Sequence, residues 1–419
     1  MLTVGKSLMA TGVFARASFR WFYLGRTISL LGSGMTPIAL AFAILQTRGG
    51  QQLLGYIMAA EILPNIVMLL LGGSVADRYR RDRLIQFANV GAGCVQAGIA
   101  AIVLTGSNPY GIFPLAVLNG IIGAFAAPAT EGIVPELVDR KDIQRANAYL
   151  NTSRSLSKII GPAVAGILVA TVGGGWGIAF DASSFLMAAL CLTRLRIPSH
   201  PAPAHDSLTD QMRAGWDYFV RRPWIWSITL AFTVLNPIQM GAWRVLGPIL
   251  AEHTFGAADW GLVLSLQAAG ALAASFGGLR RQSTRPLRTT MLSTVVVGLP
   301  MVILGFEFPL PYLGIAAVLA GAGSAMAGIA WTTSLQQGIP KDKRSRVMAF
   351  DDFGSFVAIP LGLVLVMPTA DWLGFTTVEI VGGLMWMIVA LLPLASRNVR
   401  NMTVGDIQAE AESSDVCLG

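Results

Sequence analysis

Long apolar runs follow one another along the whole chain, and they constrain its fold more than any other feature. A helix needs about 20 mostly apolar residues to cross the ~30 Å hydrocarbon core of a bilayer. The runs between charged or Gly/Pro-rich breaks give twelve candidate spans. Their centres lie near Leu31, Val67, Gly98, Gly120, Ala163, Met187, Val234, Gln267, Val297, Gly321, Val357 and Met385. Only 13% of the residues are charged, against about 25% in soluble proteins, so the sequence predicts an all-α integral membrane protein.

Positive charges alternate along the chain, and this pattern predicts the orientation in the membrane. Basic clusters lie in every second loop between consecutive predicted spans. Examples are Arg80-Arg81, Arg140-Lys141, Arg221-Arg222 and Arg280-Arg281. Cytoplasmic loops carry such an excess of Lys and Arg, and an even number of spans puts both termini on one side. We therefore expect a multi-pass protein of the cell inner (plasma) membrane with both termini cytoplasmic. The net charge of +7 then reflects topology, and no nucleic-acid partner is predicted.

A segment rich in Pro and polar residues divides the chain into two halves of six predicted spans each. The predicted domains are a cytoplasmic lead-in at 1–18, an N-terminal six-helix bundle at 19–196, a cytoplasmic linker at 197–223, a C-terminal six-helix bundle at 224–396 and a cytoplasmic tail at 397–419. The linker ends in a short amphipathic helix with Met212, Trp216 and Phe219 on one face. A cleavable signal peptide is the alternative for the lead-in, but Arg16 interrupts its cleavage-like site.

The two halves repeat each other at an offset of about 205 residues. Gly72-Gly73 before a basic cluster recurs as Gly277-Gly278. Gly132-Ile133-Val134-Pro135 recurs in the same way as Gly338-Ile339-Pro340. Parallel repeats of six spans are typical of transporters whose halves alternate access between the two sides of a membrane.

The loop after the second predicted span reads Gly73-Ser74-Val75-Ala76-Asp77-Arg78-Tyr79-Arg80-Arg81. It resembles the motif that follows the second helix throughout the major facilitator superfamily. The resemblance implies the major facilitator fold, in which two pseudo-symmetric six-helix bundles enclose a central cavity. It also assigns a conformational-switch role to Gly73, Asp77, Arg78 and Arg81. A basic loop that only sets topology is the alternative.

A longer string of residues narrows the resemblance within that superfamily. Its segments are Phe19-Arg20-Trp21, Arg26-Thr27-Ile28-Ser29-Leu30-Leu31-Gly32, Pro128-Ala129, Val134-Pro135-Glu136-Leu137-Val138, Arg145-Ala146-Asn147-Ala148 and Asp181-Ala182-Ser183-Ser184-Phe185. They look like the branch that contains the enterobactin exporter and the macrolide efflux proteins. Two positions depart from that branch: Ser33 stands where many members have an acid, and Asp181 stands where Asn is usual. A proton-coupling group would therefore lie elsewhere than at Ser33.

The fifth predicted span contains Gly161-Pro162, with Gly166 one turn later. These residues resemble the kink motif that antiporters of the superfamily carry in this span. Proline removes a backbone hydrogen bond and bends the helix, and the resemblance favours export over import. The alternative is an ordinary packing site of small residues.

Ionisable side chains inside the predicted spans are functional candidates, because charge is costly in a bilayer. Glu61 lies near the middle of the second span, where it could carry a proton or, as a neutral group, brace the bend at Pro64. The other proton-coupling candidates are Asp181, near the outer end of the sixth span, and Arg26 in the first. Arg26 could also snorkel or pair with an acid on a neighbouring helix, and Asp181 could be interfacial.

Polar side chains in other spans are candidates for the wall of a substrate cavity. They are Asn119, Asn236, Gln239, Arg244, Gln267 and Trp331. Asp351 and Asp352, at the start of the eleventh span, are expected to form a gate or an end-cap. The remaining cavity wall is predicted to be mostly apolar, which suits an amphiphilic substrate better than a sugar.

The sequence contains no recognisable nucleotide-binding loop, metal-ligand cluster or cofactor motif, so an ion gradient must drive uphill transport. His200, His205 and His253 all lie outside the predicted spans, which argues against an intramembrane protease. We therefore expect a secondary active transporter and not an enzyme. It would export an amphiphilic drug, antibiotic or siderophore-like molecule by alternating access, with proton antiport. Solute uptake and a non-transporting scaffold are the alternatives, and the expected partners of the monomer are substrate, protons and lipid.

Overall fold

The computed structural model describes residues 13–47, 49–69, 80–195, 208–278, 283–340 and 343–416. All regular secondary structure in these ranges is helical. Ten helices are long and apolar enough to cross a membrane. The prediction of an all-α, multi-pass membrane fold is therefore confirmed. Gly73, Asp77 and Arg78 of the predicted switch motif lie outside the described residues.

The chain divides into two compact units, and unit 1 comprises Met1–Pro203 with Gly256–Ser265. Its long helices are α1 (Ala17–Leu45), α2 (Gly50–Leu69), α3 (Arg81–Leu104), α4 (Ile112–Gly132), α5 (Ile143–Val172) and α6 (Gly174–Leu192). Gly173 separates α5 from α6 with a φ of 93°, a backbone conformation that glycine adopts without strain. A single residue thus reverses the chain between two spans.

Unit 2 comprises Ala204–Phe255 with Leu266–Gly419. Its long helices are α7 (Pro223–Ile238, Gln239–Leu246 and Gly247–Thr254), α8 (Gly256–Gly278), α9 (Pro286–Val295 and Leu299–Gly305), α10 (Leu310–Gly338), α11 (Arg344–Phe356 and Ile359–Leu373) and α12 (Phe375–Leu391). The first part of α8 belongs to unit 1. The domain boundaries proposed from the sequence stay a prediction.

Two of the twelve predicted spans, α2 and α7, are not among the ten membrane-length helices. Helix α7 contains Pro237 and continues through a π-helical segment, Gln239–Leu246, to Pro248. A proline cannot donate the backbone hydrogen bond that a regular helix needs at that point. The seventh span is consequently three consecutive helical pieces.

Both units use a close glycine crossing between their first and fifth long helices. In unit 1, a Cβ on Gly34 of α1 would stand 2.5 Å from the carbonyl oxygen of Ser157 in α5. In unit 2, a Cβ on Gly241 of α7 would stand 2.7 Å from the carbonyl oxygen of Gly362 in α11. Small residues allow backbones to approach this closely in membrane proteins. The two crossings lie at corresponding positions of the sequence repeat that relates the two units.

A second shared crossing joins the second and fourth long helices of each unit. Gly120 of α4 lies against the carbonyl group of Glu61 in α2. Gly321 of α10 lies in the same way against the carbonyl group of Gln267 in α8. Gln267 therefore occupies, in unit 2, the position that Glu61 occupies in unit 1.

The linker helix and the C-terminal tail pack onto one end of unit 2. The linker helix, Leu208–Val220, buries Tyr218 and Phe219. The tail helix, Val404–Val416, buries Ile407 in the same apolar cluster, beside Trp224. Arg222 Nη1 donates a 2.8 Å hydrogen bond to Glu410 Oε2 and so ties the tail to the start of α7.

Candidate functional site

A fully buried carboxyl group lies in the sixth long helix of unit 1. Asp181 has 0% exposure, and its Oδ2 accepts a 2.7 Å hydrogen bond from the hydroxyl of Thr36 in α1. The hydroxyl of Ser184 lies 3.4 Å from Oδ1. A Cβ on Gly32 would stand 2.5 Å from that same Oδ1. The carboxyl group fits against α1 because Gly32 has no side chain.

The position of Asp181 along its helix differs from the expectation. It lies seven residues after the first residue of α6, which places it roughly 10 Å into a helix that rises about 1.5 Å per residue. The sequence predicts a position near the outer end of the span. The difference arises because the turn at Gly173 starts α6 two helical turns before Asp181.

Glu61 is held against the fourth helix by one of the residues predicted to line a cavity. Asn119 Nδ2 donates a 2.9 Å hydrogen bond to Glu61 Oε1. Asn65 Nδ2 donates to the main-chain oxygen of Glu61 at 3.2 Å. The side chain of Glu61 thus joins α2 to α4 within unit 1.

Arg26 lines a cavity of about 180 Å³ in unit 1, together with two charged residues that the sequence analysis did not select. These are Glu131 in α4 and Arg154 in α5. The signal for Arg154 was its helical spacing from Asn147 and Asn151, which puts the three polar side chains on one face. The signal for Glu131 was its place at the end of the fourth apolar run.

A second cavity, of about 250 Å³, lies in unit 2 and contains three of the predicted cavity residues. Asn236, Gln239 and Trp331 all line it. Asp351 and Asp352 also face this cavity. The structure therefore brings together residues from α7, α10 and α11 that are far apart in the sequence.

Asp351 is a buried acidic residue in the wall of the unit 2 cavity. It is 4% exposed, and its Oδ1 accepts a 2.6 Å hydrogen bond from the hydroxyl of Thr229. Its Oδ2 accepts a 2.9 Å hydrogen bond from Trp331 Nε1. Asp351 thus fixes the orientation of the indole ring that lines the cavity.

Arg244 and Gln267 lie elsewhere. Arg244 is an exposed residue of the π-helical segment of α7 and makes no ion pair with any described residue. Gln267 is half-buried and contributes its main-chain carbonyl to the contact with Gly321. Neither residue lines the two cavities that contain the other candidates.

Glu379, in α12, is an acidic residue that the sequence analysis missed. It is 0% exposed, and neither carboxyl oxygen has a hydrogen-bond partner among the described residues. The signal in the sequence was a single carboxyl group inside the last apolar run. Such a group is costly to bury in the charged state.

The predicted kink motif lies at two close helix contacts of unit 1. A Cβ on Gly161 would stand 2.8 Å from the Cα of Gly34 in α1. A Cβ on Gly166 would stand 2.6 Å from the carbonyl oxygen of Ala257, in the part of α8 that belongs to unit 1. Pro162 lies between these two glycines, and its own carbonyl faces Gly261. The motif therefore permits contact with helices on both sides of α5.

Arg81 is the one residue of the predicted switch motif inside the described residues, and it contacts the end of the fourth helix. Its Nη1 donates to the main-chain oxygen of Gly132 and lies 3.3 Å from Glu136 Oε1. A cation at a helix C-terminus is favoured by the unpaired carbonyl groups there. Arg81 thus links the start of α3 to the end of α4.

Comparison with known proteins gives matches over most of the chain. The sequence profile of the Major Facilitator Superfamily matches residues 22–363. The multidrug efflux pump Tap of Mycolicibacterium fortuitum is 26% identical over 355 residues, which cover 82% of this chain and 87% of that protein. The enterobactin exporter EntS of Shigella boydii serotype 4 is 28% identical over 335 residues, covering 79% and 80%.

Solved structures with the same fold include a nucleoside transporter and a POT family transporter. The nucleoside transporter NupG superposes with a TM-score of 0.73 at 13% identity, over 92% of this chain and 99% of that one. A POT family transporter in complex with 5-aminolevulinic acid gives a TM-score of 0.70 at 13% identity, over 91% and 96%. At such identity the similarity shows the fold alone.

Proposed function

The chain belongs to the Major Facilitator Superfamily, and on that basis we propose that it exports an amphiphilic small molecule by proton-coupled antiport. The two relatives that match about four fifths of the chain are named a multidrug efflux pump and an enterobactin exporter. Both names denote outward transport. We place the protein in the cell inner membrane as a monomer with both termini cytoplasmic, in agreement with the alternation of its basic loops.

The observation that carries the coupling proposal is the hydrogen bond between Asp181 and Thr36. Asp181 is fully buried in a membrane-length helix, and no described basic side chain pairs with it. A buried carboxylate without a cation is costly, whereas a protonated carboxyl group is neutral. A group of this kind can take up a proton in one state and release it when water reaches it in another. Glu61, held by Asn119, is the second candidate.

The proposed binding site for the substrate is the cavity in unit 2. Phe232, Trp331 and Trp386 give it aromatic faces, and Asn236 and Gln239 give it amide groups. Sites for small molecules typically combine apolar and aromatic walls with a few polar groups that fix orientation. This combination suits a substrate that is partly aromatic and partly polar.

Counterflow in proteoliposomes tests the proposal. Purified protein would be reconstituted and preloaded in turn with ethidium, rhodamine 6G, tetracycline, erythromycin and enterobactin, with labelled compound outside. We expect exchange of at least one compound, and net accumulation of that compound when a pH gradient is imposed. If the folded protein exchanges none of them, export of amphiphiles is contradicted. Exchange that does not respond to the pH gradient contradicts proton coupling alone.

A further inference from the structure

The cavity of unit 1 around Arg26 contains three charged side chains from three helices. Arg26 comes from α1, Glu131 from α4 and Arg154 from α5. Arg154 and Glu131 are exposed and Arg26 is half-buried, so a ligand can reach all three. The cavity volume of about 180 Å³ is large enough for one functional group of a small molecule.

None of these three charged side chains is directly paired with another described residue. The side chains of Arg26, Glu131 and Arg154 form no hydrogen bond and no ion pair within 4 Å with any residue of the described ranges. The guanidinium groups of Arg26 and Arg154 and the carboxylate of Glu131 line the same cavity. The cavity therefore holds two guanidinium groups and one carboxylate, none of them paired with a described residue.

The rest of the cavity wall supplies hydrogen-bond donors on one side and apolar surface on the other. Asn147 and Asn151 of α5 line it, and no hydrogen bond to their side-chain amides is formed by the described residues. Phe22, Leu30 and Leu150 form the apolar part. A ligand with an anionic head and an apolar body would match both parts.

We propose that this cavity binds the carboxylate group of a monoanionic amphiphile between Arg26 and Arg154. Guanidinium groups bind carboxylates through paired, charge-assisted hydrogen bonds. Glu131 sets the charge that is accepted, because its carboxylate leaves the cavity with a net charge of one and repels a dianion. The inference rests on the proposed function and narrows its substrate class to carboxylate-bearing compounds.

Binding of a matched pair of probes to the purified full chain in detergent micelles tests this site. 2-Naphthoate and 2-naphthamide have nearly the same shape, but only the naphthoate is charged. Isothermal titration calorimetry should show saturable binding of naphthoate, and binding of the amide that is weaker by about tenfold or more. Absence of saturable naphthoate binding, or equal affinity for the two probes, would overturn the proposal.

Substitutions in the cavity should change naphthoate affinity in opposite directions. We expect Arg26→Gln and Arg154→Gln to weaken binding by about tenfold or more. Glu131→Gln should tighten it, a gain that misfolding cannot produce. Arg145→Gln, in the same helix as Arg154 but outside this cavity, is the matched control and should leave the affinity unchanged. Unchanged affinity in both arginine variants, or weaker binding in Glu131→Gln, would contradict the site.

The binding assay and the transport assay fail independently. Naphthoate binding with the expected response to substitution, together with no counterflow of any compound, would contradict only the proposed export function. Counterflow of amphiphiles without naphthoate binding would contradict only the carboxylate site.

Discussion

The carboxyl group of Asp181 on α6 accepts a 2.7 Å hydrogen bond from the hydroxyl of Thr36 on α1. Thr36 follows Gly32 by one helical turn, and the absence of a side chain at Gly32 makes room for the same carboxyl group. The sequence resemblance drew attention to an acid missing at Ser33. The structure brings an acid to that part of α1 from another helix.

Asp181→Asn should uncouple transport from the pH gradient. The substitution keeps the size of the side chain and its hydrogen bond from Thr36 but removes the proton that a carboxyl group can exchange. We expect loss of gradient-driven accumulation in proteoliposomes, with counterflow retained. Ser183→Ala is the control, since Ser183 lies two residues from Asp181 in the chain but is exposed and hydrogen-bonded only to its own helix. Full accumulation in the Asn variant would remove Asp181 from the coupling mechanism.

Two variants distinguish the two possible roles of Glu61, as a proton carrier and as a structural brace. Glu61→Gln keeps an acceptor for Asn119 and removes the titration, whereas Asn119→Leu removes the 2.9 Å hydrogen bond and keeps the titration. If Glu61 carries a proton, we expect Glu61→Gln to abolish accumulation driven by the pH gradient while counterflow continues. A brace would instead show its largest effect in Asn119→Leu, as a lower unfolding temperature with coupling intact.

Packing at the kink motif should tolerate no added atom. Gly161→Ala places a methyl group 2.6 Å from the backbone of Gly34, which cannot move without shifting α1. We expect a loss of about 1–3 kcal/mol in the free energy of unfolding, measured by thermal or denaturant unfolding in micelles. The control is Gly328→Ala in α10, where a Cβ meets no atom within 4 Å. Helix propensity should make that variant as stable or more stable, by up to about 1 kcal/mol.

The helical spans were predictable because length and hydropathy are local properties of the chain. The π-helical segment of α7 was not, since it depends on Pro237 and on the contact between Gly241 and Gly362 in another helix. Sequence repeats indicated two related halves, but the equivalence of Glu61 and Gln267 required the positions of their neighbouring helices.

The sequence indicated which polar residues contribute to the candidate site, but it indicated less well which of them contact one another. Asn236, Gln239 and Trp331 were selected as isolated polar residues, and they share one cavity. Asn119 was selected for the same reason but donates to Glu61. Arg154 was missed because charges near the ends of apolar runs are typical of loops, and only the helix packing puts it beside Arg26.

Glu379 should be replaceable by an apolar residue without loss of stability. Its carboxyl group is fully buried with no hydrogen-bond partner among the described residues. Removing an unsatisfied buried polar group should stabilise the protein, by about 1–3 kcal/mol. We expect Glu379→Met to raise the unfolding temperature in micelles. Trp386→Phe should lower the unfolding temperature. This substitution deletes the 2.7 Å hydrogen bond from Trp386 Nε1 in α12 to the main-chain oxygen of Thr294 in α9. A lower unfolding temperature in Glu379→Met would contradict this prediction.

The tail helix should detach at low pH, because its first turn depends on an ionised carboxylate. Asp406 accepts hydrogen bonds from the backbone N–H of Thr403 at 2.8 Å and from its hydroxyl at 2.7 Å. The Thr403 hydroxyl accepts in turn from the backbone N–H of Asp406, which completes a capping box. These hydrogen bonds hold the pKa of Asp406 below its ordinary value. A carboxyl group with a lowered pKa stabilises the folded form above the unfolded pKa of about 4, and that contribution is lost as the pH falls through the folded value.

Hydrogen–deuterium exchange of the tail amides measures this detachment. We expect amides of the segment 404–410 to be protected at neutral pH, where Ile407 is fully buried against unit 2. Protection, corrected for the intrinsic pH dependence of exchange, should fall below about pH 4. Asp406→Ala should show reduced protection already at neutral pH and little further loss on acidification, whereas Thr403→Ser, which retains the hydroxyl, should match the parent protein. Equal protection of the parent protein at pH 3 and pH 7 would contradict a role for the ionised carboxylate in holding the tail.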